Sequence, residues 1–237
     1  MPINDFQAMY QHIQSVLKVA DFDLFARTMQ RLPIHVIQRC LSCVLKDSSL
    51  SLDVFGQMHA LLKVVNVCQS PQDQRLLLEI VKADLAEYSF ALLVVGAQQE
   101  LSVFPLVTQW ISERLTASQY ESVAKQLYVQ SIMSNNPYLF VQGMHAKLPL
   151  TNKDASYFLW QVLQENKHHL FVSILISAGA DTETKREGKT PLMYALERNN
   201  RALIHALLDA NDSSSSVGQP HKKVTFKWSD FWGSALV

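Results

Sequence analysis

Apolar residues recur at three- and four-residue spacing along most of this 237-residue chain, and the two-residue alternation of half-buried strands is scarce. That pattern predicts an all-α protein. Helix starts are legible in residue type. Ser70-Pro71-Gln72-Asp73 offers a capping hydroxyl, a proline at the first helical position and a carboxylate at the third. Thr116-Ala117-Ser118-Gln119 is a capping box ahead of Tyr120, Val123, Leu127 and Ile132. Residues 34–45 predict an amphipathic helix initiated by Pro33, and residues 76–86 and 88–98 predict two consecutive helices. Asn135-Asn136-Pro137 is a break. With only seven glycines in the chain, residues 1–134 predict a helical N-terminal domain.

From residue 179 the pattern tightens. Gly179 follows an apolar run and can take the left-handed conformation that ends a helix. Residues 181–188 are polar, as in an exposed hairpin loop, with Gly188 free to adopt positive φ. Thr190 can cap the next helix with Pro191 at its first position. Leu192, Ala195 and Leu196 share one helical face, and Leu203, Ile204, Leu207 and Leu208 are expected to form the second inward face. A polar hairpin and two short helices in about 33 residues resemble one ankyrin repeat. Two positions depart from the family: Met193 stands where a histidine is usual, and Asn199-Asn200 where many repeats have a glycine.

One repeat cannot bury its own apolar face, so neighbours are required. Residues 170–181 read as a second helix and its Gly-Ala-Asp loop, and residues 156–163 as that repeat's first helix, without the Thr-Pro signature. Residues 138–144 echo residues 170–175 at about one repeat period, with 147–153 as the hairpin of a third repeat. The expected organisation is therefore a helical domain over 1–134, an ankyrin stack over 135–212 that the helical domain caps, and a tail over 213–237.

Composition narrows the partners. Twenty-one basic residues balance twenty-one acidic ones, which offers no global attraction to nucleic acid or to an anionic membrane. The opening MPINDFQAMYQHIQ lacks a basic start and an apolar run, and the most apolar stretch, 89–96, is too short to span a bilayer. Three cysteines argue for a reducing, cytoplasmic setting without a disulfide framework.

The tail carries the most specific candidate. Residues 211–218 read as a flexible, serine-rich linker. Beyond it Val224, Phe226 and Trp228 alternate with Thr225 and Lys227, so an extended strand would present the three apolar side chains on one side. Lys222-Lys223-Val224-Thr225-Phe226 resembles the docking motif by which regulatory subunits bind type-one protein serine/threonine phosphatases. The resemblance implies Lys222 or Lys223 as the basic element, Val224 and Phe226 as pocket anchors in an added strand, and Thr225 as a position where a phosphate would crowd the groove. The competing expectation is that Phe226, Trp228, Phe231 and Trp232 fold back onto the last repeat.

Other constellations favour structure over chemistry. Cys40-Leu41-Ser42-Cys43 is a CxxC pair, but Cys68, His35 and His59 supply no second close pair, so core cysteines and no metal are expected. Leu32-Pro33 and the helix after it resemble the opening of an F-box, which would imply a ubiquitin-ligase adaptor; the downstream Val-Cys and Trp elements of that family lack clear counterparts. His168-His169 are expected at the turn between repeat helices, with rings on different faces. No nucleophile elbow, phosphate-binding loop, HExxH or kinase signature is present, so no catalytic residue and no cofactor are assigned, and any enzyme site is expected in the N-terminal half. The function expected is a protein-binding adaptor, with Lys185, Arg186 and Glu187 at an exposed hairpin tip. A Gln- and Ser-rich helical half joined to a few ankyrin repeats also resembles effectors that intracellular bacteria deliver into host cells, which implies host proteins as partners and delivery without a classical signal peptide.

Overall fold

The computed structural model describes residues 3–81, 85–99 and 102–214, with side chains over 6–81, 88–99 and 102–209. Every regular element among these residues is helical, apart from an isolated bridge between Arg186 and Lys189. The first part comprises α1 (Ile3–Lys18), α2 (Phe22–Met29), α3 (Ile34–Val44), a 3-10 turn at Ser48–Leu50, α4 (Val54–Val67), α5 (Pro71–Leu78), α6 (Leu85–Gln98) and α7 (Phe104–Ser112). Then follow α8 (Ala117–Met133), α9 (Pro137–His145), α10 (Asn152–Gln164), α11 (Leu170–Ser177), α12 (Pro191–Glu197) and α13 (Arg201–Ser214). The all-α class expected from the apolar periodicity is what the chain adopts, and no described helix is long and apolar enough to cross a membrane.

The chain divides into two compact units, one of residues 1–131 with 138–149 and one of 132–137 with 150 onward. In the first, α4 is apolar on most sides and therefore sits centrally. Met58, Leu61, Leu62 and Val65 are fully buried, with α2 and α6 packed against the helix. Asp21, Asp53 and Ser70 each accept a bond from a backbone N–H in the first turn of α2, α4 and α5. Asp47 ties α1 down by accepting from Tyr10 Oη at 3.0 Å and Gln14 Nε2 at 2.6 Å. Gly143 of α9 lies so close to α8 that a Cβ there would meet Leu127 Cδ2 and Tyr128 Cε1 at 2.9 Å.

Some expected boundaries move. The helix that the Ser70-Pro71 cap predicts does start at Pro71, but it ends at Leu78 rather than running through the helix expected over 76–86. The chain turns at Glu79, whose carboxylate takes the Arg114 guanidinium and Trp110 Nε1, and Leu77, Leu78 and Val81 are buried around that turn. Tertiary packing around the Glu79 turn outweighs the helix propensity of Ile80 and Val81.

In the second unit α10 packs on α11, α11 on α13 and α12 on α13. Leu159, Val162, Phe171, Val172 and Leu175 form its buried centre. Helix α13 runs past Leu208 to Ser214 and takes in residues 211–214, which the serine-rich composition assigns to the linker.

Candidate protein-binding site

The helix pairs share one local grammar. A threonine opens each first helix: Thr116, Thr151 and Thr190 accept from the backbone N–H of Gln119, Asp154 and Met193. The Thr151 cap is a full capping box with Asp154, so Asn152 and Lys153 are helical and not part of the hairpin expected over 147–153. The Thr-x-x-Asp spelling at 151–154 is the signal that finds this start.

An asparagine ends each first helix in the left-handed conformation: Asn135 at φ 52°, Asn166 at 53° and Asn199 at 51°. Asparagine tolerates this region because its short side chain bonds locally. Where many repeats use glycine, Asn199 thus makes the same turn. Within the second unit these residues also link successive turns. The His168 N–H donates to Asn135 Oδ1 at 2.8 Å, and Asn200 Nδ2 donates to Asn166 Oδ1. The asparagines recur at about one repeat period, a signal that sequence reasoning missed at Asn166.

The second helices end alike. Lys147 and Gly179 are left-handed, at φ 57° and 91°, and the following N–H of Leu148 or Ala180 reaches back to Gly143 or Leu175. At Gly179 the φ of 91° favours glycine, and a Cβ there would also push aside the exposed Asn152 side chain, whose Oδ1 would lie 2.6 Å away.

After Gly179 the chain forms the hairpin. Arg186 and Lys189 exchange backbone bonds of 2.9 and 3.0 Å around Glu187 and Gly188, both at positive φ. This is the primed turn that suits a two-residue hairpin. Asp181 anchors the loop base by accepting from the backbone of Glu183 and Thr184, and its carboxyl pKa is lowered by the Thr184 hydroxyl and then those N–H groups. Lys185, Arg186 and Glu187 are exposed, as expected, and Arg186 reaches Gln164 Oε1 at 3.4 Å. Tyr157 of α10 is 57% exposed, so an aromatic and a charged loop tip are both open to a partner on this unit.

His168 and His169 do lie at the turn, but their rings stack at 4.5 Å rather than pointing apart. The residues are not helical, so adjacent side chains can converge. Partial burial, and secondarily His169, lowers the His168 pKa. Cys40 is buried in α3, where burial and the neighbouring Cys43 push its thiol up to about 11. Among the described residues no three His, Cys, Asp or Glu side chains gather as metal ligands. A cleft of about 500 Å³ in the first unit is lined by Gln38, Ser42, Lys46, Leu76, Glu79 and Tyr88. Among the described residues that line it the one carboxylate, Glu79, is already held by Arg114. Lys222, Lys223, Val224, Thr225, Phe226 and Trp228 lie outside the described residues.

A capped helix, an asparagine turn and a second helix, recurring from Thr116 onward with one hairpin at Arg186–Lys189, define a repeat scaffold for protein recognition. Residues 117–217 match the family described as Ankyrin repeats (3 copies), so this segment is built of ankyrin repeats. No curated protein and no solved structure matches the chain. The match starts at α8, ahead of residue 135 where the Thr-Pro signature and its echoes place the first repeat.

Proposed function

We propose that the chain is an adaptor that holds one protein on its ankyrin segment and recruits a type-one serine/threonine phosphatase through its tail. The observation that carries the adaptor reading is the repeat segment itself, with Tyr157 and the Lys185–Arg186–Glu187 tip open to solvent. Loops and exposed aromatics on a rigid scaffold are where recognition concentrates. The phosphatase reading is supported by Lys222-Lys223-Val224-Thr225-Phe226 following α13. In that arrangement Val224 and Phe226 fill two pockets, Trp228 extends the same apolar side, and phosphate on Thr225 would repel the complex. Should the protein act inside a host cell, the tail would mimic a host regulatory subunit.

Titration calorimetry of the full chain with the purified phosphatase tests this. Val224→Ala with Phe226→Ala is expected to weaken binding at least about tenfold, the effect of losing two buried anchors. Undiminished affinity would discard the phosphatase assignment and leave the ankyrin adaptor standing. The F-box alternative gains no support from α3, because Val36, Ile37, Cys40, Leu41 and Val44 face inward.

A further inference from the structure

The two repeats of the second unit can be registered on their turn asparagines, Asn166 and Asn199. In that register Trp160, Leu163, Phe171 and Leu175 correspond to Met193, Leu196, Ile204 and Leu208. The first four are all buried, because α12 and α13 pack over α10 and α11. In the last repeat the same positions are open: Met193 is 50% exposed, Leu196 55% and Leu208 43%, with Ile204 partly exposed. Repeat stacks end in a repeat whose outer face is polar. This one ends in the apolar side chains of an interior repeat.

We propose that residues 224–232 of the same chain cover this face. The chain leaves the face directly, since α13 carries Leu208 and continues to Ser214. Some ten residues separate Ser214 from Val224 and reach up to about 33 Å. The 14 residues of α13 rise only about 21 Å, so the segment can return along the helix pair. Val224, Phe226 and Trp228 alternate with Thr225 and Lys227, and Phe231 and Trp232 follow. A strand here would lay its apolar side on Met193, Leu196 and Leu208 and its polar side toward water. Tethering holds the segment at an effective concentration on the order of millimolar, ahead of any free partner of ordinary abundance.

The proposal is independent of the phosphatase assignment, though it places Val224 and Phe226 in a competing contact. A trans partner for these residues would bind with affinity reduced by the fraction of tail that is undocked.

Hydrogen exchange of the full chain, with no phosphatase present, tests the contact. Amides across 190–208 are expected to exchange slowly in the native chain and at least about tenfold faster in Phe226→Ala/Trp228→Ala, with the protein monomeric by light scattering in both. Leu196→Asp is expected to release the amides of 224–232 in turn; should that variant unfold the repeat, the tail variant still decides. Equal exchange of 190–208 in the native and tail-variant chains overturns the proposal. So does protection that grows with protein concentration alongside a dimer mass, which would assign the face to a second copy.

Discussion

Asn166 does two jobs that substitution can separate. It holds a left-handed turn at φ 53° and accepts a bond from Asn200. Asn166→Ala is expected to cost about 1–2 kcal/mol from the backbone and about 1 kcal/mol from the lost bond, read as a lower urea midpoint. Asn166→Gly is expected to recover the first part only. His59 is a second residue with a measurable signature. It stacks on Phe22 at 4.3 Å, and its buried Nε2 has no hydrogen-bond partner in the structure. Burial lowers its pKa, Lys63 lowers it further, and Asp23 opposes them. The folded form therefore binds a proton less readily than the unfolded chain. The stabilisation is present above the ordinary value of 6.5 and is lost as pH falls through the folded value. Urea midpoints at pH 7.5 and 5.5 are expected to differ less in His59→Asn than in the native protein.

At the level of elements, caps and close approaches set the repeats. Thr151→Ala removes a full capping box and is expected to cost about 1 kcal/mol, seen by thermal melting. Gly143→Ala drives a Cβ against Leu127 and Tyr128, and is expected to cost about 1–3 kcal/mol through overpacking. The sequence made α12 and the hairpin legible because Thr190-Pro191 and Gly188 act locally. It left α10 with a late start because Thr151-Asn152-Lys153-Asp154 is polar and resembles a loop until the reciprocal bonds are drawn. The end of α5 was hidden for another reason. Glu79 turns the chain by pairing with Arg114, and no local pattern announces a partner thirty-five positions away. Of the binding site, the exposed tip at 185–187 was readable from charge, whereas Tyr157 sits in an apolar-looking run and its exposure depends on packing.

For the molecule as a whole, the balance of twenty-one positive and twenty-one negative residues gives a pI near 7.1. Colloidal repulsion vanishes there, so solubility is expected to pass through a minimum near pH 7 and to rise on either side, measured by light scattering across a pH series. Whenever residues 224–232 leave the last repeat, its apolar side chains give this balance a direct target, since uncharged molecules approach each other freely. The asparagine turns carry a slower consequence. Side-chain amides hydrolyse with time, and each event turns a neutral donor–acceptor into an acid. At Asn166 the oxygen that accepts from Asn200 would survive, and the link would persist. At Asn200 the donor itself would vanish and leave two oxygens face to face. Ageing of the purified protein would therefore strike one end of this link and spare the other, and the lifetime of the repeat segment would depend on the chemistry of a single amide.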